Sequence, residues 1–560
     1  MVQIKGMTRA WRKWGLTMSM AMVLPTGTLP AQPSPFVPVH DPAYAQIDQL
    51  VGSGLVRTVL YGQRPYTQRE IARLVREARA QLAQRDASRD AAAPPPAGGT
   101  SAASRRVLAQ LAARFGDDPS ARAAAQRTLD GELAWLDSPA RAIPPAPTGF
   151  IDDATVNPLL NARAGRRYGQ GPTVALEPRM VQPLGRHLLL TAAARLSAGG
   201  HPGPGGTSGG DPRFAQAALQ EATLGTSFRN LVLEVGRQPL QWGPALDGGL
   251  LLSASSRPLD LVRIRTEAPW RAPSLLKWLG LLRGTILLAD LGAGQNFPHA
   301  KVGAYRLSGQ VTSYFELSAQ VLVQGGGRGS PGTSLRERVI DFIPALKYSL
   351  PDDTTQFSNK LAGWDMRLRI PPLQGLQLYW EAAFDDMDPR RWRSTAWEDG
   401  GHIVGASMGQ LAPGGALTAA AEFHHTGLRY YRHTVFASGV AFNGTLLGSP
   451  LGPMGDAGVV RLVHDAGTGR RARLQLAVER RGGDVWANAW DTPATDNFRF
   501  VLVTPRPAEW RHRATLELER DGVHGHRTAV HAGLERVRDA GFVRGAGRWN
   551  MIAGLRTNWR

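Results

Sequence analysis

The sequence predicts a mainly β protein: a large antiparallel transmembrane β-barrel of about 16–18 strands preceded by a small N-terminal α-helical bundle. Three observations lead there. Two-residue alternation of apolar and polar residues recurs through most of the 560-residue chain. No run of eighteen uninterrupted apolar residues exists to form a membrane-spanning helix. A basic, then apolar leader precedes a chain with no cysteine, so an exported protein of this size must be held together without disulfides.

The leader is residues 1–31. Lys5, Arg9, Arg12 and Lys13 precede the apolar run "WGLTMSMAMVLP", and "GTLPAQP" supplies small residues for signal-peptide cleavage near Ala31. Residues 40–140 read as a small helical bundle. In "YTQREIARLVREARAQLAQR", Thr67 and Glu70 form a capping box, and Ile71, Leu74, Val75, Ala78 and Leu82 share one face. "PAYAQIDQLVGSGL", "SRRVLAQLAARF" and "ARAAAQRTLDGELAWL" read as further helices. The Ala/Pro-rich stretch near 86–104 reads as a disordered insertion.

After the joint "SPARAIPPAPTG", the period changes to two, and residues 148–560 are assigned to the barrel. "YFELSAQVLVQG" sets Phe315, Leu317, Ala319, Val321 and Val323 against Glu316, Ser318, Gln320 and Gln324. The same period governs "GWDMRLRI", "LQLYWEAAFD", "RLQLAVERR" and "WNMIAGLRTNW". An apolar outside with aromatic girdles and a charged inside fits that pattern, whereas a soluble sandwich of this length would need several cores joined by linkers.

Catalytic and metal motifs fail on context. "LQWGPALDGGLLLSASSRPLDLVRIR" has neither the G-x-x-x-x-G-K-[ST] nor the G-x-G-x-x-G spacing of a phosphate loop. "GASMG" at 405–409 matches the nucleophile-elbow string but lies in an alternating strand. His424 and His425, as strand neighbours, point to opposite faces, so no metal site is expected. The carboxylates Asp385 and Asp386 have no fixed separation for glycosidic acid–base work and read as part of an ion-paired loop. The chain reads as a non-enzyme with no cofactor.

Binding chemistry remains. The net charge of +19 points to an acidic partner, although arginines spread along the chain also fit a GC-rich coding sequence. Export argues against nucleic acid. Aromatic faces with Arg, Asp and Asn nearby suit sugars and their carboxylates. The candidates are Trp392 and Trp397 with Arg390 and Arg391, Tyr430 and Tyr431, and Trp486 and Trp490. The same aromatics also fit an interfacial girdle.

Three stretches resemble the capsule assembly protein Wzi family: "DPAYAQIDQLVGSGLV", "GRQPLQWGPALDGGLLLSASSRPLD" and "YYRHTVFASGVAFNGTLLGSPLGPMGDAG". The second is the most specific, through Trp242, Gly243, Pro244, Ser253, Arg257 and Pro258, which are expected to shape the barrel rather than bind ligand. The resemblance implies an outer-membrane barrel that attaches capsular or extracellular polysaccharide by lectin-like binding, in contact with outer-membrane lipids and the outer-membrane assembly machinery. An anion-preferring porin or other transport barrel is the alternative.

Overall fold

A computed structural model describes residues 33–88, 101–118, 123–137, 159, 163–166, 168–201, 214–272, 274–331, 342, 358–385, 396–412, 414–431, 433, 435–442, 445–490, 498–522 and 525–559. The expected leader, the core of the 86–104 insertion, and Arg390, Arg391 and Trp392 lie outside these residues.

Eighteen antiparallel strands close into one barrel. They are β1 (Gln126–Asp137), β2 (Gln170–Leu184), β3 (Leu188–His201), β4 (Phe214–Phe228), β5 (Leu231–Gln238) and β6 (Leu259–Thr266). β7 (Leu281–Asp290), β8 (Lys301–Gln310), β9 (Phe315–Gly325), β10 (Asn359–Ile370), β11 (Leu376–Asp385) and β12 (Gly400–Met408) follow. β13 (Leu417–Thr426), β14 (Gly455–Asp465), β15 (Arg470–Arg481), β16 (Glu509–Asp521), β17 (Arg527–Arg538) and β18 (Gly547–Trp559) complete the wall. Alternation sets the two faces. Leu133, Val174, Leu518 and Val530 point outward and are exposed, as a lipid-facing surface requires. The residues between them, such as Glu132, Thr173, Glu517 and His531, face the lumen.

The first strand corrects the sequence reading. "ARAAAQRTLDGELAWL", expected as a helix, supplies β1, so the helical unit does not run to 140 and the barrel starts at 126 rather than 148. Leu129, Leu133 and Leu136 fit a helical spacing, but Leu129, Leu133 and Trp135 also fit an outward strand face. Closure decides between them: β1 pairs with β18 through Leu133↔Leu555 and with β2 through Leu133↔Val174. Without it, two strand edges would leave their backbone polar groups unpaired in hydrocarbon.

The N-terminal unit has three helices, α1 (Ala43–Gly52), α2 (Gln68–Ala87) and α3 (Ala102–Phe115). The Thr67 hydroxyl accepts the Glu70 N–H at 3.1 Å, as the capping box predicts. Ile71, Leu74, Val75 and Ala78 pack against Val107, Leu108 and Leu111 of α3 and Ile47 and Leu50 of α1. The unit covers the barrel end that carries the short turns, such as 229–230, 311–314, 371–375 and 466–469. The Gln49 amide donates to Gly415 O at 2.9 Å, and the Arg106 guanidinium donates to Ala466 O at 2.7 Å. Gly375, at φ +71°, leaves room for Gly52: a Cβ there would lie 2.4 Å from Gly52 O. Short turns mark the periplasmic side of such barrels, so the opposite strand ends, among them Asp137, Gly325, Thr426 and Arg481, are on the outer side.

Ion pairs tie the helical unit to the wall. Glu70 lies 3.0 Å from Arg283 of β7 and 2.9 Å from Arg73, and Arg69 lies 3.1 Å from Glu267. Burial would raise the Glu70 carboxyl, but Arg283 and Arg73 outweigh it and hold it at about 2, against an ordinary 4.5. A carboxylate depressed by folding stabilises the fold above its unfolded value and loses that contribution as pH falls toward its folded one. The α2–β7 contact is therefore expected to weaken as pH drops from 4.5 toward about 2. Glu70→Gln should remove that dependence and, by stranding Arg283, cost about 3 kcal/mol. Hydrogen exchange of the α2 amides checks both; protection that is flat across this range in the wild type would contradict the assignment.

Candidate functional site

The lumen is filled from both ends. From the outer side, residues 239–258 fold inward between β5 and β6, bringing Leu240, Trp242, Leu250, Leu251 and Leu252 into the largest apolar core. From the periplasmic side, residues 53–67 enter beneath α1. There Arg367 of β10 places its guanidinium 3.6 Å from the Tyr61 ring centroid, and the Tyr61 N–H donates to Glu316 at 2.9 Å. The two insertions meet inside the barrel as an antiparallel ladder, Gln63↔Trp242 and Arg64↔Gln241. The Gly243 N–H also donates to Gly62 O at 3.2 Å.

Each residue of the "WGP…S…RP" pattern has a place in this junction. Trp242 is 1% exposed; its N–H donates to Leu252 O at 3.0 Å, and its carbonyl accepts the Gly249 N–H at 2.7 Å. Glu381 of β11 points into the bend and accepts the Leu250 N–H at 2.9 Å. Gly243, at φ +89°, packs on that carboxylate so closely that a Cβ would lie 2.2 Å from it. Pro244 O accepts from Arg367 at 2.9 Å. The Ser253 N–H donates to Leu447 O at 2.7 Å, Arg257 packs on Gly165, and Pro258 ends the segment immediately before β6. Glu381 had no distinguishing signal in the sequence, where it is one polar residue of an alternating strand.

Tyr430 and Tyr431 belong to the same core, which corrects their reading as sugar-binding residues. Both are 0% exposed and have no ring face open to a ligand. Their hydroxyls donate to Leu250 O at 3.2 and 2.5 Å, and Tyr431 also accepts the Ser449 N–H at 2.6 Å. A Tyr pair beside Arg looks the same in sequence whether it lines a rim or anchors an inward loop.

The lumen wall is charged but paired. Arg263 meets Glu234 at 2.7 Å, Arg306 meets Asp365 at 2.7 Å, Arg369 meets Glu316 at 3.1 Å and Arg511 meets Glu535 at 2.7 Å. Beside the filled centre, a cavity of about 640 Å³ lies between the helical unit and β1, β2 and β15–β18. Its arginines are matched too: Arg195 to Glu132 at 2.9 Å, Arg166 to Glu177 at 2.6 Å and Arg461 to Asp247 at 2.5 Å. Leu159, Tyr168, Ala134, Leu136 and Ile552 form an apolar cluster at its outer end. His531 faces this cavity, 3% exposed.

At the outer rim, Trp397 is set as a platform. The His402 imidazole bonds Ala396 O at 2.7 Å, and the His425 imidazole bonds Trp397 O at 3.0 Å, which fixes the short turn 396–398 against the wall. The indole stacks on His425 with ring centroids 3.6 Å apart and planes 14° apart, yet Trp397 is 53% exposed. Asp456 bonds His425 at 2.8 Å and Arg480 at 3.3 Å, bringing a cation to the platform's edge. His424 turns inward to Glu422 at 2.8 Å, so the two histidines do face opposite ways. Trp486 and Trp490 lie on one strand of a separate hairpin, Val485–Trp490 with Phe498–Thr504. Among the described residues no group of three His, Asp, Glu or Cys side chains forms a metal-binding cluster.

A family described as capsule assembly protein Wzi matches residues 147–521. A Klebsiella pneumoniae protein described as an uncharacterized 55.8 kDa protein in the cps region is 27% identical over 161 residues, which are 28% of this chain and 30% of that one. The chain thus matches under a third of that relative's length. The solved structure of Escherichia coli Wzi has a TM-score of 0.63 at 16% identity, covering 93% of this chain and 99% of that one, a likeness of fold. It is described as an outer-membrane protein involved in group 1 capsule assembly and a carbohydrate-binding β-barrel. The Pseudomonas aeruginosa outer-membrane protein OprD gives a TM-score of 0.41 at 10% identity, over 78% of this chain and 92% of that one.

Two substitutions test the junction. Trp242→Ala is expected to cost about 3–5 kcal/mol by emptying a fully buried site. Tyr431→Phe is expected to cost about 1–3 kcal/mol by leaving Leu250 O and the Ser449 N–H short of a partner. Thermal unfolding of the purified protein measures both, and midpoints equal to the wild type would contradict the inward fold of 239–258.

Proposed function

Because this chain belongs to the Wzi capsule assembly protein family, we propose that it sits in the outer membrane, binds exported capsular or extracellular polysaccharide there, and helps to assemble or anchor that polymer at the cell surface. The observation that carries the reading is Trp397: an indole stacked on His425 at the outer rim and still 53% exposed. Sugar rings bind such faces through their C–H groups, and a platform ordered in advance loses little entropy on binding. Arg480 at its edge suits a carboxylate-bearing sugar, and Asp456 suits hydroxyl groups.

In this reading, residues 1–31 are the export leader, the three-helix unit faces the periplasm, and catalysis has no part. The transport alternative is disfavoured by the same geometry. Residues 239–258 and 53–67 occupy the lumen, and wall arginines such as Arg263 and Arg306 are matched by carboxylates, which weakens the cationic field that an anion-selective pore needs.

Deleting the gene is expected to move polymer from cells to medium with total synthesis unchanged; unchanged cell-bound polymer would defeat the reading. Trp397→Ala should leave heat-modifiable gel migration intact while weakening binding of the organism's purified polymer by about fivefold to tenfold, the scale of one aromatic stack. Equal binding by the variant would remove Trp397 from the site.

A further inference from the structure

The outer face of the barrel is hollowed where β10–β18 curve. Small outward residues, among them Ala421, Gly458 and Ala514, form the floor, and larger ones, among them Leu368, Trp380 and Trp549, form the rim. A Cβ on Gly458 would meet nothing within 4 Å. The hollow has a volume of about 1160 Å³ and is apolar apart from one edge, where His512 and Arg536 face outward. It exceeds the roughly 300–1,000 Å³ that holds a drug-sized ligand.

That edge lies at the outer-side ends of the strands. Trp510 and His512 are near the start of β16, Arg536 and Arg538 close β17, and Trp549 is near the start of β18. Cross-strand pairing makes them one patch: Trp510↔Arg538, His512↔Arg536 and Arg536↔Trp549. The Arg536 guanidinium lies 5.3 Å from the Trp549 ring centroid. Among the described residues, neither Arg536 nor Arg538 meets a carboxylate. The other side of the barrel differs at the same level, where Arg237 pairs with Asp260 and Lys301 with Asp290, each at 2.6 Å. Arg237 and Lys301 are thus neutralised at this level, whereas Arg536 and Arg538 beside the hollow are not.

We propose that this hollow and its cationic edge form a docking site for a phosphorylated glycolipid of the outer leaflet, with acyl chains along the apolar floor and a phosphate on Arg536 and Arg538. Charge complementarity selects this occupant. The patch is at the depth where outer-leaflet head groups begin, Arg binds phosphate by paired hydrogen bonds, and the hollow below it is shaped for chains. A second copy of the barrel docked about a two-fold axis would oppose the same cations and face one hollow with another. The inference depends on the outer-membrane placement and is independent of polysaccharide binding at Trp397.

Native mass spectrometry of the full chain in detergent, with an acylated diphosphoryl glucosamine disaccharide as probe, tests the site. The wild type is expected to retain this lipid at least about tenfold better than its dephosphorylated form or phosphatidylethanolamine. Arg536→Gln with Arg538→Gln should abolish that preference, Gly458→Leu should lower retention by filling the floor while leaving the charges, and Arg237→Gln should change nothing. Heat-modifiable migration confirms that each variant is folded. Equal retention of the three lipids by the wild type, equal preference in the double variant, full retention by Gly458→Leu, or a protein dimer in place of the lipid adduct would each overturn the proposal.

Discussion

The structure depends on the ladder inside the barrel where Gln63 and Arg64 meet Gln241 and Trp242. A wall of eighteen strands encloses more space than its own inward side chains fill. Two chain segments enter that space, and each brings backbone N–H and C=O groups that need partners away from bulk water. They find them in each other and in lumen carboxylates, above all Glu381, which takes the Leu250 N–H beside Gly243 and Gly249. The tight bend at Gly243–Pro244, the buried Tyr430–Tyr431 pair and the seating of the helical unit all follow from holding that junction together.

With the centre filled, the remaining lumen charge is handled locally. Arginines of β6, β8, β10 and β16 face carboxylates of the next strand or the next but one, so much of the inner positive charge is neutralised where it arises. Breaking one such pair would cost more than forming it gains, because the stranded partner stays buried. On the outer surface beside Trp510 and Trp549, Arg536 and Arg538 meet no carboxylate among the described residues. The chemistry available to ligands is thereby moved from the lumen to the rim and the lipid-facing wall.

Much of this architecture was legible from periodicity. Alternation in "YFELSAQVLVQG" and "GWDMRLRI" placed β9 and β10, and Thr67 with Glu70 marked the start of α2. β1 was misread because Leu129, Leu133 and Leu136 satisfy a helical spacing as well as a strand does; only its closure with β18 decides, and that is a contact across the whole chain. The site was less legible. Trp397 stood out as an aromatic among arginines, but its stacking depends on His425, which is adjacent only once β12 and β13 pair. Tyr430 and Tyr431 gave the same composition signal and proved to be core, because burial is set by the inward loop they anchor. Glu381 gave no signal, since its partner at Leu250 is fixed by the fold of residues 239–258.

Single-channel recording of the purified full chain in planar bilayers tests the central claim that the lumen is filled and the protein acts at its surface. A flat current trace at all applied voltages is the result this structure predicts. Stepwise, ion-sized conductance from the wild-type chain would contradict it and return the barrel to the class of pores.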